Sequence, residues 1–442
     1  MNKELKSIKC NNKITDIEGI AGSQIAYLNL GNVIANLKAS GYKGPFVLGD
    51  LIISSLNREL AICAAMSAGI SKSEITLKTI VEYSDLDDAD KERILSLQDY
   101  MFDWKIIDVE DNRVAKGFYA CCIEMDDERG MIAFRGSESE NSLETKRTWF
   151  EADFGLLNSR GTWQQEEVDK YLNKIVSKSL LDKYSTVFAV GHSLGGNLAE
   201  HALVCMANDE KKRTLFNKVK MAYNYDGPGF SEEYLETYSE AAAKAASKIK
   251  HVKWSAVGDL LFDIPGTKTV YWSINEELHK NDILDRIKYK VITRHSTKSL
   301  IYDKNGMVKE GKQDIVSKGL SFISKAVDVI IPEWLTIEAF AVADWIFDKI
   351  LSVEYGNHIN FGKLSWPERS AENGSILGMC TLCIKNMLRV FKEGALSLKN
   401  ELSLNNIAPT LAFAGPVTNA SGTIILPNNG RMLDDRKDES ER

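Results

Sequence analysis

The hydrophobic positions along this chain change period several times, and each change marks an element. Between Ile52 and Ile70 the apolar residues fall at helical spacing, at Ile53, Leu56, Leu60 and Ala64, and helix signals recur in the charged stretch from Asp85 to Phe102. The pattern then turns to strands. KGFYACCIEM, the charged turn DDERG and MIAFRG predict an antiparallel pair joined by a short hairpin loop. From Trp163 the period is helical again, with Val168, Tyr171, Leu172, Ile175 and Val176 on one face. The short apolar run STVFAV, ending at Val190, predicts a strand buried on both faces.

A helix over NLAEHALVCMA follows, then strand KMAYNYD, helix SEEYLETYSEAAAKAAS, and strands HVKWSAV and KTVYWSI. Strands alternating with helices predict an α/β architecture, a largely parallel sheet covered on both faces. Beyond Asn305 the character changes. Val316, Leu320, Ile323, Val327 and Ile330 are spaced four, three, four and three, as on a helix packing against a neighbour, and Pro332 interrupts them. Two further apolar helices are expected over 334–351 and 376–398. Residues 405–430 read as loop, and RMLDDRKDESER as a charged, disordered tail.

Composition narrows the function classes. Of 442 residues, 44% are hydrophobic and 26% charged, the makeup of a globular protein. Sixty-two acidic against fifty-five basic residues, dispersed to a net charge of −7, leave no basic stripe for a phosphate backbone, so nucleic acid is excluded as the expected partner. The seven cysteines (Cys10, Cys63, Cys121, Cys122, Cys205, Cys380, Cys383) are too irregular for a disulfide framework and read as reduced thiols. Cys380 and Cys383 form a C-x-x-C without a second ligand pair nearby, which favours packing over zinc, and Cys121-Cys122 reads as buried strand packing.

MNKELKSIKCNNK carries basic residues but no apolar run behind them, so no Sec-type signal peptide is expected. The uncharged stretches 19–37 and 402–430 are broken by Asn and Gly and by Pro and Gly respectively, and neither satisfies its backbone as a transmembrane helix. A cytoplasmic protein is the expectation, with export by a leaderless route as the alternative.

The strongest chemical signal is GHSLGG, Gly191 to Gly196. G-x-S-x-G is common by itself, but a nucleophile elbow needs a buried strand before it, a helix after it and small residues two positions either side of the Ser. STVFAV, NLAEHALV, Gly191 and Gly195 supply these around Ser193. A serine needs a base and an orienting carboxylate downstream. Of the six histidines, His192 lies inside the elbow, His201 on the following helix pointing away, and His279 in a charged, solvated stretch. His295 in VITRHSTKSL follows a strand-like segment and suits the base. For the acid, Asp259 in WSAVGDLLFDIPG follows an apolar strand, where α/β sheets collect catalytic groups. Asp226, in YNYDGPG, and Asp263, before Pro265, are its competitors.

GHSLGGNLA, MIAFRGSES, TWFEADFGLL, GDLLFDIP and HSTKSL together resemble the class 3 lipase-like branch of the α/β-hydrolases. Within it, a bacterial subgroup shares GHSLGGNLA followed by a strand ending in DGPGF. The resemblance runs from about Val81 to Asn305, roughly half the chain. It implies an α/β-hydrolase fold with a mostly parallel central sheet flanked by helices, plus helical N- and C-terminal regions. The divisions are a helical lead-in over 1–80, a catalytic domain over 81–305, a helical region over 306–404, and loop and charged tail over 405–442.

In that family the small hydroxyl residue after Arg-Gly supplies one oxyanion-hole amide, the place of Ser137 here, where threonine is more usual; Leu194, after the nucleophile, supplies the other. The family's acid stands six residues before a loop-closing proline, a spacing that Asp259 and Pro265 share. The resemblance therefore implies a Ser193-Asp259-His295 triad hydrolysing a carboxylic ester, as a lipase, phospholipase or esterase, with neither cofactor nor metal. Residues 138–149 lie where family lids lie. Expected partners are a lipid or other ester substrate, a peripheral membrane contact, and helical proteins meeting the C-terminal region, although Glu333, Glu338, Asp344 and Asp348 spread around their helix and oppose deep insertion. The alternatives are a leaderless secreted lipase-type toxin with a helical targeting region, and a catalytically silent hydrolase-like interaction protein.

Overall fold

The computed structural model describes residues 13–113, 117–137, 163–274, 294–313, 317–318, 321, 324–325, 417–418 and 424–425. By its contacts the chain divides into two compact units, Met1–Ile359 and Asn360–Arg442.

The first unit is built on a seven-stranded sheet in the order β1 (Lys105–Asn112), β2 (Phe118–Glu124), β3 (Arg129–Phe134), β4 (Thr186–His192), β5 (Val219–Tyr225), β6 (Ile249–Lys253) and β7 (Lys268–Tyr271). β1 to β3 pair antiparallel and β3 to β7 parallel. Asp126 turns the expected β2–β3 hairpin, its carboxylate accepting from the Glu128 and Arg129 amides. β1 was not anticipated: its burial is patchy, as on an edge strand, and its charged residues hid the alternation.

Every residue of β2 and β4 is buried, and the two-residue period divides them between two cores. Tyr119, Cys121, Ile123, Phe188 and Val190 face one core. Phe118, Ala120, Cys122, Val187 and Ala189 face the other. The second core is covered by α7 (Trp163–Ser177) and α8 (Leu194–Asn208), with Val168, Tyr171, Leu172 and Ile175 on the inward stripe expected of α7.

The first core is covered by the helices that precede β1, within the lead-in and just beyond it: α1 (Asp16–Ile25), α2 (Leu30–Ala39), α3 (Leu48–Ser54), α4 (Arg58–Ser67), α5 (Leu77–Glu82) and α6 (Asp88–Ser96). Thr15 and Glu18 close a capping box at the start of α1. That helix lies directly on the sheet: a Cβ at Gly22 would stand 2.1 Å from the Met131 sulfur, which would have to shift to admit any larger residue. The uncharged stretch 19–37 is thus two helices covering a sheet, and among the described residues no helix is long and apolar enough to cross a membrane. The periodic stretch from Ile52 to Ile70 is split, because Asn57 caps a fresh helix and leaves Leu60 60% exposed. SEEYLETYSEAAAKAAS likewise forms two helices, Glu232–Thr237 and Ser239–Ala245, breaking at Tyr238.

Of the four-three pattern beyond Asn305, residues 317–318, 321 and 324–325 are helical. The rest of it, 334–351, 376–398, the Cys380–Cys383 pair and the charged tail lie outside the described residues, as do 138–149. Within 405–430, expected to be loop, a small antiparallel ladder joins β8 (Val417–Thr418) to β9 (Ile424–Ile425).

Candidate active site

Ser193 stands between β4 and α8 with φ +59° and ψ −138°, a backbone region that side chains rarely occupy. The flanking glycines make the turn possible. A Cβ at Gly191 would lie 1.9 Å from the Gly195 carbonyl oxygen, and one at Gly195 would lie 2.3 Å from that of Phe134. The Ser193 N–H donates to the Tyr225 carbonyl (3.0 Å), tying the elbow to the end of β5. Its Oγ is buried and has no hydrogen-bond partner among the described residues.

Leu194 opens α8, so its N–H belongs to the helix's unpaired first turn, where the backbone dipoles favour negative charge. The segment after β3 abuts the same spot: a Cβ at Gly136 would lie 3.1 Å from Ser193 Cβ, which sets the neighbouring Ser137 near Ser193. Ser137 Oγ is buried and unpartnered among the described residues.

His295 is 8% exposed, and its Nδ1 lies 2.8 Å from Asp226 Oδ2. An ionised carboxylate only accepts, so Nδ1 carries a proton and donates it to Asp226. Ser255 Oγ lies 3.3 Å from the same Nδ1. The ring packs against His192, whose centroid is 4.6 Å away, and His192 Nε2 donates to the His295 carbonyl at 2.9 Å. His192 stacks in turn on Trp254 (5.8 Å), and Trp254 on Trp272 (5.7 Å). Burial, reinforced by the His295 charge, pushes the His192 pKa down to about 3, so this ring is neutral packing beside the site.

Asp226 is fully buried at the end of β5, with φ +54°. Its Oδ1 accepts the N–H groups of Trp254 (2.8 Å) and Ser255 (2.9 Å), which follow β6. Burial pushes the carboxyl up, but the bond and charge of His295 and the bonds from Ser255 and Trp254 outweigh it and hold its pKa below the ordinary value.

The structure thus sets Leu194 and Ser137 about Ser193 and His295 against the preceding His192, but the carboxylate on His295 is not the one expected. Asp259 lies on a short 3-10 turn, Val257–Asp259, and accepts from Tyr271 Oη at 2.9 Å, with Lys253 Nζ at 3.5 Å. Its pKa is raised by burial, which Lys253 and Tyr271 offset only partly. Asp263 pairs with Lys253 (2.7 Å) and His251 (3.2 Å). The spacing to Pro265 placed Asp259 by chain distance; the sheet places Asp226 at the end of the strand beside β4, within reach of His295. The signal was present in the sequence, as an Asp directly ending a strand before Gly-Pro-Gly.

His201 points away from the site as expected, toward Tyr234 Oη (2.6 Å) and the Gln165 carbonyl (3.2 Å). His279 and His358 lie outside the described residues. Among the described residues no group of three His, Cys, Asp or Glu side chains is placed to hold a metal ion.

A mostly parallel sheet, a strained serine at the strand-to-helix turn and a histidine held by a strand-end carboxylate define an α/β-hydrolase fold. The family model "Mbeg1-like" matches residues 98–300. Among solved structures the chain is similar to lipase II from Rhizopus niveus, with 17% identity and a TM-score of 0.30 over 44% of this chain and 79% of that one. It is also similar to M37 lipase (12%, TM-score 0.29, 54% and 92%) and to a fungal lipase in an inhibitor complex (17%, TM-score 0.26, 50% and 86%). A search of curated proteins gives no match.

Proposed function

We propose that this protein is a serine hydrolase of carboxylic esters, acting as a lipase, phospholipase or esterase through a Ser193-His295-Asp226 triad. The observation that carries this reading is the 2.8 Å bond from His295 Nδ1 to a fully buried Asp226, beside a serine held at φ +59°. Asp226 fixes the tautomer and stabilises the imidazolium as it forms. His295 Nε2 takes the Ser193 proton while Oγ attacks the ester carbonyl, and the N–H groups of Ser137 and Leu194 receive the oxyanion. Collapse of the tetrahedral species breaks the C–O bond to the alcohol, to which His295 returns the proton. Water, deprotonated by His295, then hydrolyses the acyl-enzyme and restores Ser193.

Hydrolysis of p-nitrophenyl esters from short to long acyl chains, alongside a phospholipid, tests the reading. Wild type is expected to turn over at least one of them, and Ser193→Ala and His295→Ala to abolish this while remaining folded. The chain-length profile separates esterase from lipase. Inertness on every ester, together with no labelling of Ser193 by a fluorophosphonate, would overturn it.

A further inference from the structure

Tyr27 lies in the turn after α1, 7% exposed, and its phenol bridges the two backbone segments that frame the nucleophile. Its oxygen accepts the Gly136 N–H at 3.1 Å, and its O–H donates to the His192 carbonyl at 3.4 Å. His192 immediately precedes Ser193, and Gly136 immediately precedes Ser137. The ring is itself fixed: the guanidinium carbons of Arg93 and Arg135 lie 5.0 and 5.4 Å from its centroid, and Arg135 Nη1 donates to the Tyr27 carbonyl at 3.3 Å. The Gly136 position has no spare room, since a Cβ there would meet the Tyr27 oxygen at 2.4 Å and the His192 carbonyl at 2.6 Å.

We infer that Tyr27 is a positioning residue for the oxyanion hole, setting the Gly136–Ser137 peptide against the nucleophile so that the Ser137 N–H is aimed before substrate arrives. The inference rests on the serine hydrolase reading. An oxyanion donor works only when already oriented toward the charge that develops, and residues 135–137 after β3 are not helical, whereas the Leu194 amide is held by α8. The phenol ties the segment to the last carbonyl before the nucleophile, so the two hole donors keep a fixed separation. Tyr27 lies outside the 98–300 match and within the lead-in, so that region, besides covering the sheet, would position the site.

Tyr27→Phe removes one oxygen and keeps the ring between its guanidinium groups. With active sites titrated by fluorophosphonate, the variant is expected to lose roughly tenfold to a hundredfold in kcat with KM within about twofold. Affinity for a trifluoromethyl ketone, which forms the tetrahedral oxyanion, should fall by the same factor. A kcat and ketone affinity within twofold of wild type would overturn the inference, as would a loss of kcat with unchanged ketone affinity, which marks a merely structural role. Hydrogen exchange on the wild type needs no variant: the Gly136 amide should be protected, and exchange at the free-peptide rate sinks the proposal. Failure of fluorophosphonate to label wild-type Ser193 would remove the hydrolase reading and this one with it; labelled wild type with an unaffected Tyr27→Phe removes this one alone.

Discussion

His295 Nδ1 meets Asp226 Oδ2 at 2.8 Å, while Asp226 Oδ1 is held by the two backbone amides of Trp254 and Ser255. One carboxylate therefore joins three strand ends: it is carried by β5, clamped by the residues after β6, and presented to His295, whose ring packs on His192 at the end of β4.

If Asp226 orients the base, Asp226→Asn should lower kcat by about 10³–10⁴-fold, because the amide stabilises the wrong tautomer and no imidazolium. Asp259→Asn should stay within a few-fold, its bond from Tyr271 being replaceable. Steady-state kinetics on one activated ester decides between them, and the opposite ranking returns the role to Asp259.

The elbow predicts a stability effect independent of chemistry. Gly191→Ala puts a Cβ 1.9 Å from the Gly195 carbonyl oxygen, where backbone rather than a flexible side chain must yield. A loss of roughly 1–3 kcal/mol or more is expected in urea unfolding. An unchanged midpoint would mean the turn is looser than described.

Glu200, fully buried on α8, lies 3.4 Å from His251, and burial raises its pKa to about 7, with the His251 charge opposing. A raised folded pKa gives stability that is complete below the unfolded value of 4.5 and is lost as pH rises through about 7. Glu200→Gln cannot ionise, so relative to wild type it should gain stability from pH 5 to pH 8, by on the order of 3 kcal/mol at most. Urea midpoints at the two pH values test this, and parallel profiles would show Glu200 ionised throughout.

On the acid side the sign reverses. His192 and His201 are buried and depressed to about 3 and about 4, from an ordinary 6.5. Their contribution is complete above 6.5 and is lost as pH falls toward those values, because the unfolded chain takes up protons that the native rings refuse. Proton NMR of the ring resonances should show both neutral at pH 5.5; a midpoint near 6.5 for either would contradict its burial.

Thiol reactivity should follow burial. Cys121 and Cys122 are buried in β2, with burial pushing both thiols up, Cys122 to about 12. Cys205 is likewise raised to about 12, whereas Cys63 is exposed. Peptide mapping after native alkylation should find Cys63 modified quickly and the other three only on unfolding.

Period and turn chemistry are local properties, and they made much of this protein legible in its sequence. The two-residue period of β2 and β4, the stripe on α7 and the glycines around Ser193 each constrain a few neighbouring residues, and the expected elements stand where those patterns lie. Boundaries failed where a single capping or breaking residue outweighed the pattern, as at Asn57 and Tyr238. Ser193 and His295 could be chosen because the residue types were few and the elbow is built within one stretch of chain.

The acid could not be chosen that way. Asp226, Asp259 and Asp263 all follow strands in the sequence, and which of them reaches His295 depends on the order of β4, β5 and β6 and on where the amides after β6 point. The same holds for Tyr27, 165 residues from the carbonyl it bonds. Local pattern fixed the elements and the serine turn; the pairing of parallel strands, whose partners are distant in the chain, decided which carboxylate meets His295 and which phenol bonds the His192 carbonyl.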